Sequence, residues 1–142
     1  MKNVLDCIIR ALLMLWELPQ NILGALLFIF FAVFSDYSEI LDDDDSLEMY
    51  SPMMRGAITL GIFRVYAYKY LGNGARYVEL VRKHEKGHRK QSVMLGPLYL
   101  IVIGLPSLIW AALHSTVRRL GTVDYFSFYT ERWADRLGGV KR

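Results

Sequence analysis

Apolar residues dominate the N-terminal part of the chain. Between positions 7 and 34 only Arg10, Glu17 and the segment "PQN" interrupt the apolar run. Its unbroken part, 22–34, is shorter than the roughly 20 residues that cross a hydrocarbon core as a helix. The longer stretch 11–34 suffices if the proline of "ELPQN" marks a kink or a helix start. The pattern therefore predicts a membrane helix over 11–34, or a helical hairpin broken at "ELPQN".

The next two segments differ in character. Residues 35–55 contain "DYSEILDDDD" and predict an acidic loop. The aspartates lack the glycine and the terminal glutamate of an EF-hand, so a solvated loop is favoured over a calcium site. Residues 56–71, "GAITLGIFRVYAYKYL", are rich in β-branched and aromatic residues, which is typical of a strand or of a hairpin bent at Gly61.

Residues 75–92 have the periodicity of an amphipathic helix. On a helical wheel one face carries Tyr77, Leu80, Val81, His84, His88 and Gln91, and the opposite face carries Arg82, Lys83, Lys86, Arg89 and Lys90. The wheel predicts that the histidines point into the protein and that the cations point away from it. Gly87 lies in mid-helix, where glycine costs about 1 kcal/mol relative to alanine, so its presence predicts close packing of another backbone.

The C-terminal half has one more long apolar segment and one more helix. Residues 93–113 carry no charge and are long enough to cross a membrane. "GLPS" at 104–107 is a break signal, which favours a re-entrant membrane hairpin over a single crossing. The tail predicts a helix over 125–137 that stops at a Gly-Gly pair.

Composition and charge narrow the class of protein. Hydrophobic residues make up 54% of the 142 residues and the mean hydropathy is +0.23, which is high for a soluble domain of this size. The net charge is +3, but the charges are unevenly distributed along the chain. The basic segment "RKHEKGHRK" predicts contact with an anionic membrane surface. No nucleic-acid-binding motif accompanies it, so nucleic acid is not an expected partner. Cys7 is the only cysteine, which excludes an intramolecular disulfide and a cysteine zinc cage.

The segment "HEKGH" at 84–88 carries candidate chemistry. Two histidines at i and i+4 on a helix can reach one metal ion, and the glutamate between them can act as general base toward a zinc-activated water. A catalytic zinc also needs a third protein ligand and an open position. The chain has three histidines, and the remaining one, His114, is expected to be interfacial or structural rather than a ligand.

"HEKGH" followed by "ERWAD" at 131–135 resembles the motif pair of the glutamate-zincin metallopeptidases. The resemblance implies that Zn²⁺ is bound by His84, His88 and Glu131. It implies that Glu85 is the general base, and that Asp135, one turn after the glutamate ligand, hydrogen-bonds a ligand histidine.

More narrowly, residues 84–139 resemble small bacterial membrane proteins with this motif pair and, distantly, membrane zinc peptidases of the HtpX and CAAX-prenyl-protease kind. The resemblance implies a minimal zincin-like core of a strand, the HExxH helix and the ExxxD helix. It also suggests Tyr125 or Tyr129 as a donor to an oxyanion. The expected fold is one mainly α, membrane-embedded domain over 1–142, with a short strand or hairpin and additional apolar helices.

The predicted function is a membrane-embedded zinc-dependent peptidase. The alternative is a non-catalytic zincin-like membrane module that binds a protein partner, and a third possibility is a membrane adaptor without metal. A single crossing by 93–113 would put His88 and Glu131 on opposite sides of the membrane, so the zinc hypothesis requires that segment to return. Basic residues near both helices favour the cytoplasmic side of a bacterial inner membrane. Expected partners are membrane lipid and a peptide or membrane-protein substrate; the oligomeric state is not indicated.

Overall fold

The computed structural model describes residues 3–35, 39–43, 46–119 and 122–142. The helices are α1 (Val4–Trp16), α2 (Leu18–Phe34), α3 (Ala75–Leu95), α4 (Leu105–Arg119) and α5 (Tyr129–Gly138), and the strands are β1 (Glu39–Asp43), β2 (Ser46–Ser51), β3 (Ala57–Leu60) and β4 (Phe63–Ala67). Short turns of 3-10 helix cover Tyr68–Asn73, Gly96–Leu98 and Tyr125–Ser127, and a π-helical turn covers Leu100–Gly104. The prediction of a mainly helical protein with a small β element is confirmed at this level.

The four strands form one sheet in the order β1-β2-β4-β3. β1 pairs antiparallel with β2, β2 pairs parallel with β4, and β3 pairs antiparallel with β4. The prediction of an acidic loop over 35–55 is therefore wrong for β1 and β2, while 36–38 and 44–45 lie outside the described residues.

The loop prediction fails because acidic Glu48 is buried in a strand, where other residues compensate its charge. This residue is fully buried in β2, and Arg64 Nη1 on neighbouring β4 lies 3.1 Å from its Oε1. Tyr66 donates its hydroxyl to the same oxygen at 3.1 Å, and Arg82 Nη2 of α3 lies 2.9 Å from Oε2. A buried carboxylate is tolerated when cations and hydrogen bonds compensate its desolvation, and these partners are distant in sequence.

Helices cover both faces of the sheet. On one face α2 packs its Phe31 against Met49 and Val65 of the two central strands. Side chains alternate between the faces of a strand, so Arg64 and Tyr66 point to the opposite face, where α3 lies. The helix α5 packs against α3 on the side away from the sheet, and the order of layers is α2, sheet, α3, α5.

The α3–α5 contact depends on close approach of the two backbones at Gly87. A Cβ atom added to Gly87 would lie 1.9 Å from Ala134 O, and one added to Gly138 would lie 2.0 Å from Lys83 O. These distances leave no room for a side chain at either position. The sequence-based prediction of close backbone packing at Gly87 is confirmed.

Two pairs of helices are each bent at a short break. The pair α1–α2 bends by 88° at Glu17, and the pair formed by 75–98 and 100–114 bends by 120°. Within the described part of the chain no unbroken helix has the length and apolar character needed to cross a bilayer, and only these bent pairs meet that criterion, on length and composition alone.

Two predicted boundaries require correction. The chain turns at Gly96, whose φ is +52°, and at Pro97, rather than at the predicted break over 104–107. Pro106 instead lies in the first turn of α4, directly after the π-helical turn Leu100–Gly104. The last helix begins at Tyr129 rather than 125, because Asp124 accepts from Phe126 N at 3.3 Å and holds a separate turn of 3-10 helix.

Candidate metal centre

Three side-chain atoms from α3 and α5 converge in the protein interior. Glu131 Oε2 lies 3.1 Å from His84 Nε2 and 3.5 Å from His88 Nε2. All three residues are at least nine-tenths buried. Ligand atoms at zinc–ligand distances of about 2.0–2.2 Å in a tetrahedral site are roughly 3.3–3.6 Å apart. The two distances from Glu131 Oε2 to the histidine nitrogens are therefore close to the separation of ligand atoms around one tetrahedral ion.

The far nitrogen of each imidazole has its own hydrogen-bond acceptor. His84 Nδ1 donates to Asp135 Oδ1 at 2.7 Å, and His88 Nδ1 donates to Gln91 Oε1 at 2.8 Å. Gln91 is oriented in turn, because its Nε2 donates to Thr130 O at 3.0 Å. These bonds place the proton of each neutral ring on Nδ1 and leave a lone pair on Nε2, as a metal ligand requires.

The electrostatics of the cluster favour a bound cation. Burial raises the pKa of Glu131, but hydrogen bonds with His84 and His88 outweigh burial and hold this pKa well below its usual range. Burial lowers the pKa of His84, but hydrogen bonds to Asp135 and Glu131 outweigh it and raise this pKa to about 9. Two Nε2 lone pairs and a carboxylate oxygen repel one another unless a proton or a metal ion lies between them.

Glu85 lies beside this cluster in a separate environment. Its Oε2 accepts a hydrogen bond from Thr59 Oγ1 at 2.6 Å, across the α3–β3 contact. Ligand atoms of His84, Glu85 and His88 also lie within 4.8 Å of one another, so Glu85 is a geometric alternative to Glu131 as third ligand. We favour Glu131, because its Oε2 is close to both histidines while Oε2 of Glu85 is already engaged by Thr59.

The other sequence candidates differ in their placement. Burial, and then the negative charges of Glu131 and Glu85, raise the pKa of Tyr125 above its usual range, so its hydroxyl stays protonated. Tyr129 donates its hydroxyl to Val102 O at 2.6 Å, which leaves Tyr125 as the better placed of the two proposed oxyanion donors. His114 donates to Val123 O at 3.1 Å and is outside the cluster.

Sequence reasoning missed a buried ion pair next to His88. The helical wheel places Arg89 on the outward basic face of α3, but in the structure it is buried and its Nη1 contacts Glu17 Oε1. Glu17 is fully buried at the bend between α1 and α2. An acidic residue inside an apolar run was the available signal, since such a charge needs a partner when it is buried.

Gln20 ties the same bend to the end of α3. It donates to Gly96 O at 2.9 Å and to Ser92 Oγ at 3.1 Å, and Trp16 Nε1 donates to Val93 O at 2.9 Å. The helix that carries both histidines is therefore fixed directly to the N-terminal apolar pair.

Comparisons with protein-family models, with curated proteins and with solved structures gave no match. The resemblance to glutamate-zincins consequently rests on the two motifs and on the geometry described above.

Proposed function

We propose that this protein is a zinc-dependent peptidase of the glutamate-zincin type. The observation that carries the proposal is the convergence of His84 Nε2, His88 Nε2 and Glu131 Oε2 at ligand spacing, with Nδ1 of both rings held by separate acceptors. In this proposal the three side chains hold the ion. When bound there, zinc supplies Lewis acidity that polarises a carbonyl oxygen and acidifies a water molecule.

The remaining chemistry belongs to residues of the chain. Glu85 accepts the proton of the water that attacks the peptide carbonyl and passes it to the departing amine nitrogen. Tyr125 stays protonated, and in this proposal it donates to the oxygen that gains negative charge. β3 is an edge strand of the sheet. The carbonyl oxygen of Thr59 is already engaged by Tyr99 Oη, so in this proposal an extended peptide pairs with the rest of the strand and presents its carbonyl near Glu85.

We propose a membrane-bound location, which the exposed apolar side chains support. Large apolar side chains are exposed along α1, α2 and α4, among them Leu5, Leu12, Leu26, Val33, Leu108 and Leu113. Large apolar side chains exposed in this number support contact with an apolar phase such as a bilayer. We propose that α1, α2 and α4 enter the bilayer without crossing it, so that α3 and α5 stay on one side. The cytoplasmic side of a bacterial inner membrane remains the proposed location.

A second candidate is a metal-holding module that binds a partner without hydrolysis. Arg142 favours it, because Nε of this residue donates to Asp135 Oδ2 at 2.8 Å. Its guanidinium carbon lies 3.2 Å from the centre of the Phe126 ring, which in turn contacts the His84 ring at 5.4 Å. A cover of this kind suits a closed, structural ion better than an open catalytic one.

Metal content and hydrolysis together distinguish these candidates. Detergent-purified parent protein is expected to contain about one zinc per chain by mass spectrometry, and Glu131→Ala is expected to lose it. Glu79→Gln is the matched control, because Glu79 is an exposed carboxylate that pairs with Lys83 on the outer face of α3. Absence of zinc from folded parent protein contradicts both candidates.

Hydrolysis is assayed with fluorescently labelled β-casein as an unfolded substrate. The peptidase proposal expects cleavage by the parent and loss of cleavage in Glu85→Gln with zinc retained. Stoichiometric zinc without cleavage by the parent supports the binding module instead.

A further inference from the structure

The general base is held by a hydroxyl group from the sheet. Thr59, on edge strand β3, donates from Oγ1 to Glu85 Oε2 at 2.6 Å. Both residues are more than nine-tenths buried. Hydrogen bonds that involve an ionised partner are shorter and roughly twice as strong as neutral ones, so this contact fixes the orientation of the carboxylate.

The position of Thr59 is itself fixed from two sides. Its neighbour in the sheet is Arg64 of β4, and its carbonyl oxygen accepts from Tyr99 Oη at 3.0 Å. Tyr99 is buried at the 120° bend between α3 and α4. A chain of two hydrogen bonds therefore runs from the apolar bend through Thr59 to Glu85.

We propose that Thr59 is a positioning residue for the general base. By occupying Oε2, its hydroxyl leaves Oε1 of Glu85 as the oxygen that receives the proton of the attacking water. Tyr99 holds the strand so that the threonine hydroxyl stays in place. This inference rests on the proposed peptidase function, because a carboxylate that accepts no proton has no need of such orientation.

Two substitutions at position 59 separate the hydroxyl from the rest of the side chain. Thr59→Val keeps the shape and removes the donor, while Thr59→Ser keeps the donor and removes a methyl group. With labelled β-casein, Thr59→Val is expected to lower kcat about tenfold or more, out of the 10²–10⁴ that general-base catalysis supplies, with KM and zinc content unchanged. Thr59→Ser is expected to retain most of the parent kcat.

The kcat values of these two single variants decide the inference. A kcat for Thr59→Val equal to that of the parent overturns the inference. So does a loss shared equally by Thr59→Val and Thr59→Ser, since that pattern reports packing alone.

Tm measurements on the variants test the Thr59–Glu85 contact separately from the proposed peptidase activity. The Tm shifts of Thr59→Val and Glu85→Gln are expected to be non-additive in the double variant, whereas Thr59→Val and the exposed Glu79→Gln are expected to add. If the parent binds zinc but cleaves nothing, the peptidase proposal fails and the catalytic role of Thr59 fails with it. The Tm cycle then still decides whether Thr59 holds Glu85, and additivity with Glu85→Gln overturns that contact.

Discussion

His84 Nδ1 lies 2.7 Å from Asp135 Oδ1, one helical turn beyond Glu131 on the same face of α5. The single helix α5 therefore supplies both the carboxylate that faces Nε2 of His84 and the carboxylate that orients the ring from behind. Side chains four residues apart lie on one face of a helix. Glu131 and Asp135 can therefore contact the two nitrogens of the same His84 ring.

Asp135→Asn is expected to weaken zinc binding by about 10–100-fold, the usual effect of removing a carboxylate behind a ligand histidine. The asparagine can present its amide nitrogen to Nδ1 and disturb the tautomer. The measurement is competition against a zinc chelator of known affinity. Glu79→Gln is expected to match the parent in this assay. An Asp135→Asn variant with parental affinity contradicts the assigned role.

Gly87→Ala is expected to lower the free energy of unfolding by about 1–3 kcal/mol, the usual cost of overpacking a well-packed contact. The added Cβ would lie 1.9 Å from Ala134 O, so α3 and α5 must separate, and His84 and Glu131 separate with them. Chemical denaturation measures the stability and mass spectrometry the metal content. Gly72→Ala is the control, since nothing lies within 4 Å of a Cβ at that exposed position. Equal stability of the two alanine variants contradicts this account of the α3–α5 contact.

Glu17→Gln is expected to cost about 3–5 kcal/mol of stability, because it leaves Arg89 as a buried cation without its counter-charge. Replacing both residues, as in Glu17→Gln with Arg89→Met, is expected to cost less than the single change. The exposed Lys83–Glu79 pair offers the comparison, and Lys83→Met is expected to change the denaturation midpoint little. Additive losses at Glu17 and Arg89 contradict a direct ion pair.

Local periodicity was enough to predict the part of the site that lies on single helices. The inward face of α3, with His84 and His88, follows from residues within two turns of each other. The partners of Arg89 and Glu48 could not be predicted in this way. Arg89 meets a carboxylate 72 positions away, and Glu48 is buried because a neighbouring strand brings Arg64 beside it. The sequence identifies Arg89 and Glu48 as charged residues. Their counter-charges are brought to them by the tertiary structure.

The pH dependence of the metal-free protein follows from the raised pKa of His84. Its folded-state pKa is about 9 against an ordinary value of 6.5, so the folded state binds the proton more tightly than the unfolded chain does. Protonation of His84 therefore adds to the free energy of unfolding. This contribution is fully present below about pH 6.5 and is lost as the pH rises through about 9. Urea denaturation of chelator-treated protein between pH 6 and 10 is the measurement.

His84→Gln is the matched variant for this experiment, because it cannot take up the proton and is expected to show a flatter profile over that range. Zinc reverses the trend. The metal competes with the proton for Nε2, so zinc affinity is expected to rise with pH over the same interval. Metal-free parent protein that gains stability between pH 6.5 and 9 contradicts the charge assignment, because His84 between Asp135 and Glu131 would then be neutral throughout.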